Sequence, residues 1–227
     1  MKTVDKIVSS TNKMYEELKN DNHGRYKSWE QCYTSFYDAR GKKEIDYDYL
    51  SLILAFYLAS WGMYRGSSFL LQRDYTVHIP VVEEIMKSKY DRLVGIKCIE
   101  LKNPEIRKLI FKDLQSFLED YYRKERKKVF NDEPKNKISD TLITKILMGT
   151  LACVPAYDRY FIDGIKHEKV STGNYNEKSI LKIVDFYEEN NDILEKTRKK
   201  MRIDKRDYPQ MKMLDMGFWY IGFSLNK

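Results

Sequence analysis

Apolar residues return every three or four positions over most of this chain, and nowhere do they alternate with polar ones long enough to make a strand. Val4, Ile7, Val8, Thr11, Met14, Tyr15 and Leu18 predict a first amphipathic helix running to about Asn20. The polar stretch NDNHG ends it, with Gly24 available as a left-handed cap. Trp29, Cys32, Tyr33, Phe36 and Tyr37 mark a second helix that stops near Gly41. Asp46 then caps a third, YDYLSLILAFYLASWGMYR, which is apolar nearly all round. Such a helix is expected to be covered by neighbours on several sides and to form the centre of the core.

The stretch RGSSF breaks that helix, and Pro80 restarts the chain at a helix N1 position before VVEEIMKSKY. DRLVGIKCIEL is ambiguous by period and reads as short helix. Asn103–Pro104 is a cap followed by an N1 proline. It opens a long helix with a buried stripe of Ile106, Leu109, Ile110, Leu114, Phe117, Leu118 and Tyr121. NDEPKNK, residues 131–137, is the clear linker. Ser139 or Asp140 caps TLITKILMGTLACV, and Pro155 opens the next helix. After the turn STGNYN come two more helices, the first broken near Asn190 and the second started by Pro209. The expected fold is all-α: one domain over 1–227 around the third helix, divisible into lobes 1–130 and 138–227.

Composition agrees with a folded chain. Its 227 residues suffice for a real core, and 18 Tyr and 10 Phe exceed what disordered segments carry. Cys32, Cys98 and Cys153 are odd in number and each lies in an apolar run, so they read as buried thiols in a reducing compartment. The N-terminus lacks an apolar signal segment, and Tyr47–Met63 is too short and too polar for a membrane span. The expectation is a cytoplasmic monomer without a membrane partner.

The formal charge of +7 favours an anionic partner. Two basic runs concentrate it. YYRKERKKVF holds Arg123, Lys124, Arg126 and Lys127, and KTRKKMRIDKR holds Lys199, Lys200 and Arg202. Both fall at predicted helix C-terminal ends, where cations complement the macrodipole. As a functional feature they are phosphate-contacting patches with a strong salt dependence.

The least ordinary stretch is ASWGMYRGSSF, where glycines interrupt an apolar helix around Trp61, Tyr64 and Arg65. A tight helix crossing at Gly62 explains it structurally. An arginine beside aromatic faces, able to hold a base or a phosphate, explains it functionally. DMGFWYIG places Trp219 between glycines in the same way. The three histidines have no ligand spacing, and neither a zinc site nor a Ser/His/Asp triad has support. There is no dinucleotide fingerprint or phosphate loop, so no metal or cofactor is expected.

Residues 138–164, ISDTLITKILMGTL followed by VPAYDRYF, resemble the second half of the helix-hairpin-helix DNA glycosylase superfamily, nearest its all-helical 8-oxoguanine branch. The resemblance covers about an eighth of the chain. It implies that Ser139 or Thr141 stands where the family has its hairpin Ser or Lys, that Asp158 is the essential carboxylate, and that Lys145 or Lys137 is the lyase-type lysine. The family's glycine-rich hairpin is missing, with EPKNKIS in its place. The implied activity is excision of a modified base from DNA. A carboxylate would stabilise the sugar cation while Trp61, Tyr64, Arg65 and Trp219 hold the flipped base. Two other functions use fewer of these features: a non-enzymatic helical nucleic-acid-binding protein, and a protein-interaction adaptor.

Overall fold

In the computed structural model, which describes residues 1–130 and 137–226, the chain is all-α. The helices are α1 (Thr3–Asn20), α2 (Lys27–Ala39), α3 (Tyr47–Ser60), α4 (Ile79–Ile85), α5 (Pro104–Lys108), α6 (Gln115–Phe130), α7 (Asp140–Thr150), α8 (Arg159–His167), α9 (Glu177–Glu189), α10 (Asn191–Arg198) and α11 (Gln210–Leu225). The predicted linker 131–137 lies outside the described residues except for Lys137.

Several boundaries fall where local chemistry put them. The Asp46 carboxylate accepts from the Tyr49 amide, Asn103 from Glu105, and Ser139 from Leu142, each satisfying an N-terminal amide. The predicted break near Asn190 separates α9 from α10. The long helix from Pro104 is interrupted by a π-helical turn, Leu109–Leu114, between α5 and α6. That turn re-phases the stripe, so Ile106, Ile110, Leu114, Leu118 and Tyr122 are buried while Phe117 and Tyr121 are only partly so.

Other expectations need correction. The third helix is not the centre of the core: Tyr49, Leu52 and Phe56 on α3 are exposed, although Leu50, Leu54 and Leu58 are buried. The central positions belong to α7, buried from Leu142 to Thr150, and to α11, buried from Met211 to Trp219. An apolar composition all round is therefore no measure of how many neighbours a helix acquires. Gly24 is not a left-handed cap; a Cβ there would lie 2.6 Å from the Asp21 carboxylate. DRLVGIKCIEL forms two 3-10 turns, Ser88–Leu93 and Cys98–Lys102. Basic residues after α10 form a hairpin, β1 (Arg202–Ile203) paired antiparallel with β2 (Arg206–Asp207), turning through Asp204 at φ 51. Pro209 is the N-cap residue of α11, just outside it.

Pro155 does not start a helix either. Residues 152–158 are non-helical: Ala152 has a left-handed φ of 51, the Asp158 amide donates to the Ala156 carbonyl at 2.8 Å in a tight turn, and α8 begins at Arg159 with Asp158 as its N-cap. This segment carries the site. All three cysteines are buried and free.

Candidate active site

The non-helical 152–158 segment is registered on α7 by two threonines. The Thr144 hydroxyl accepts from the Tyr157 amide at 2.8 Å, and the Thr141 hydroxyl donates to the Tyr157 carbonyl at 2.9 Å. With Tyr157 fixed, the next residue has one place to go. One Asp158 oxygen caps α8 by accepting from the Phe161 amide at 3.1 Å. The other accepts from the Lys145 ammonium at 2.9 Å. Lys145 follows Thr144 on α7 and its side chain is 3% exposed, so the ion pair is held away from bulk water.

A second pair lies beside the first. On α11 the Lys212 ammonium donates to Asp215 at 2.9 Å, and both side chains are buried. The other Asp215 oxygen accepts from the Ala156 amide at 2.9 Å, tying α11 to the 152–158 segment. Burial of charge is tolerable only with such pairing and hydrogen bonding. The two ammonium groups share an aromatic roof. Lys145 Nζ lies 4.8 Å from the Trp61 ring centre, and Lys212 Nζ lies 4.8 Å from that of Trp29 and 5.6 Å from that of Trp61.

Trp61 meets Trp219 edge-to-face at 5.8 Å, and Tyr26 packs against both, at 5.5 and 5.7 Å. The Arg25 guanidinium lies over Tyr26 and Trp61. Tyr57, Trp61, Lys145, Ala156, Asp158, Lys212, Asp215 and Trp219 enclose a space of about 10 Å³. The indole N–H groups of both Trp61 and Trp219 are buried there with no hydrogen-bond partner among the described residues, which is uncommon in native interiors. Burial also raises the Tyr57 hydroxyl well above its ordinary pKa, so that residue remains a neutral donor. Tyr57 reaches the site because α7 carries glycine opposite it: a Cβ at Gly149 would lie 2.4 Å from the Tyr57 ring.

Four of the residues singled out in the sequence, Lys145, Asp158, Trp61 and Trp219, thus meet at one place. Tyr64 and Arg65 do not. The Tyr64 hydroxyl bonds His78 Nε2 at 2.7 Å, and His78 Nδ1 bonds the Tyr122 hydroxyl at 2.6 Å. Arg65 turns into a separate cleft with Arg126 and Lys137. Lys212 and Asp215 escaped the sequence reading. Their signal was two charges three residues apart inside a helix otherwise composed for burial, on the side of α11 that carries Trp219 one turn later.

The basic runs are partly neutralised. Arg123 pairs with Asp120, Lys128 with Glu125, Arg198 with Glu195 and Asp207, and Arg202 with Asp207. Among the described residues no group of three or more His, Cys, Asp and Glu side chains could hold a metal ion, and no helix is long and apolar enough to cross a membrane. Compared with known protein families, curated proteins and solved structures, the chain matches none.

Proposed function

We propose that this protein is a DNA glycosylase that excises a modified base, with Lys145 and Asp158 as its reacting groups. The observation that carries the reading is the buried Lys145–Asp158 pair at 2.9 Å beneath two tryptophans whose N–H groups lack acceptors. An amine beside a carboxylate suits an N-glycosidic carbon. Lys145 passes its proton to Asp158 and attacks C1′ of the sugar as the bond to the base breaks. The bonding electrons leave with the base, which takes the proton from Asp158 as it departs, so Asp158 is again a carboxylate. Positive charge builds on the sugar, and a carboxylate held by a helix N-terminal amide is a fixed counter-charge for it. The sugar ring then opens: the C1′–O4′ bond breaks as C1′=N forms, and one N–H proton passes to O4′. Water hydrolyses the resulting imine, or β-elimination from it breaks the C3′–O bond of the strand.

The orphan indole donors and the Lys212–Asp215 pair would meet the acceptor and donor edges of a heteroaromatic ring. About 10 Å³ is far too little for a base, so the productive complex requires the Trp61 side chain to turn aside. Trp61 ends α3 and precedes Gly62 at φ 77, where the backbone is least constrained by side chains.

The test incubates the protein with oligonucleotides carrying oxidised, deaminated and alkylated bases, followed by alkali to cut abasic sites or by borohydride to trap an imine. Release of free base and a trapped protein–DNA adduct are expected for wild type, and neither for Lys145→Met. Equal release by wild type and Lys145→Met would remove Lys145 from the mechanism. Binding to DNA with no release across the panel would make this a non-enzymatic nucleic-acid-binding protein.

A further inference from the structure

The loop after α3 builds a second site, and we propose that it grips the phosphodiester backbone of the DNA strand whose base enters the Lys145–Asp158 centre. The cleft is about 350 Å³ and lies between the Gly62–Phe69 loop and the start of α7. Its polar lining is Arg65, Arg126, Lys137, Ser67, Ser68 and Ser139, and no carboxylate is among its described lining residues. The large groove around the 202–207 hairpin differs in this respect: its about 1180 Å³ is lined by Glu188, Asp192, Glu195 and Asp207 as well as by cations.

Arg65 is positioned rather than merely exposed. Its guanidinium lies against the backbone of Gly62, where a Cβ would come within 3.0 Å of Nε, and φ at Gly62 is 77. The loop is anchored on both sides of Arg65, by the Tyr64–His78–Tyr122 hydrogen bonds and by the buried Phe69 and Leu70. Lys137 is held at the cleft by Glu119 at 3.0 Å and Asp140 at 3.5 Å, so part of its charge is already answered. Among the described residues no carboxylate lies within ion-pair distance of Arg65, which leaves it the natural partner for an incoming anion. A planar guanidinium with flanking hydroxyls suits the non-bridging oxygens of a phosphodiester.

The cleft is placed for a strand rather than for an isolated ion. Ser139 in the cleft and Lys145 in the catalytic centre are on the same helix, roughly 9 Å apart along its axis. A strand rising about 3.4 Å per nucleotide covers that span in two to three steps. The inference rests on the nucleic-acid reading above, but not on the chemistry of Lys145.

Fluorescence anisotropy with unmodified single-stranded and duplex DNA of about twelve nucleotides tests it, with RNA of the same length as a further arm. Arg65→Ala should weaken DNA binding about five- to tenfold and lower the slope of log affinity against log salt by about 0.7–0.9, one phosphate contact. Arg65→Lys should recover part of the loss. Lys178→Ala, on the exposed face of α9, should change neither quantity. An equal loss for RNA supports a contact to the phosphodiester itself. Unchanged affinity and slope for Arg65→Ala would overturn the proposal, as would displacement of the DNA from wild type by an aspartate-rich peptide at equal charge concentration. Because this measurement does not depend on base removal, an Arg65-dependent slope together with no release from any of the modified-base oligonucleotides would defeat the glycosylase reading and leave this one standing.

Discussion

Asp158 has two jobs that pull a mutational test in different directions. As an N-cap it could be replaced by Asn at little cost, since Asn caps equally well. As the partner of a lysine whose side chain is 3% exposed it could not, because Asn strands an ammonium in the interior. Breaking such a pair costs on the order of 3–5 kcal/mol, far more than loss of a helix-dipole contact. Asp158→Asn should therefore lower stability more than the double variant Lys145→Met/Asp158→Asn does, measured by urea unfolding; equal losses would mean the pair is not buried in solution. Lys145→Met is the cleaner activity probe, since it leaves Asp158 with its Phe161 amide. His78 supplies a pH prediction. Burial lowers its pKa from 6.5 to about 3, so the folded state holds it neutral between Tyr64 and Tyr122. The unfolded chain binds the extra proton between those values. The contribution of His78 is therefore complete above pH 6.5 and is lost as pH falls toward 3, by roughly 2 kcal/mol between pH 6.5 and 5. Urea midpoints of His78→Asn should lack that part of the wild-type pH dependence.

Two helices define the site, and they touch through backbone. A Cβ at Gly164 on α8 would lie 1.9 Å from the Phe218 carbonyl oxygen, and one at Gly222 on α11 would lie 1.9 Å from that of Tyr160. Backbone cannot rotate aside as a side chain does, so either Gly→Ala change must push the helices apart. Each should cost about 1–3 kcal/mol or more, despite the gain in helix propensity that alanine brings. Because Asp158 caps α8 while Lys212, Asp215 and Trp219 ride on α11, the proposed base release should also fall beyond the loss of folded protein. Thermal unfolding and activity per folded molecule separate the two effects. A stabilised Gly222→Ala would contradict the close crossing. On α3, Leu54→Ala should cost on the order of 2–5 kcal/mol, whereas Phe56→Ala on its exposed face should cost little.

Over the whole molecule the net charge of +7 favours the proposed anionic partner, but its distribution decides which cations are available. Arg202 is already paired with Asp207, while no ion pair occupies Lys199 or Lys200 among the described residues. Charge reversal of Lys199 and Lys200 should reduce DNA affinity and its salt slope more than Arg202→Ala does. Titrations at two or more salt concentrations check this. The reverse ranking would assign the run to the surface of α10 alone.

Helix positions and their caps were legible in the sequence, since Asp46, Asn103 and Ser139 act on amides two or three residues away and apolar periodicity is local by nature. Half of the site was legible: Asp158, Trp61 and Trp219 stood out as a carboxylate and aromatics in unusual local settings, whereas Lys145 came only through the family resemblance. What the sequence could not determine was which helix neighbours acquire on every side. That depends on small residues at crossings, Gly149 under Tyr57 and Gly164 against Gly222, whose effect exists only once another element arrives. For the same reason Arg65 and Trp61, four residues apart, serve different clefts, while Lys212 and Asp215 join Lys145 and Asp158 from the far end of the chain. Charge pairs in an interior are chosen by three-dimensional proximity, and only the packing of α7, α8 and α11 around the non-helical 152–158 segment decided that these four would meet.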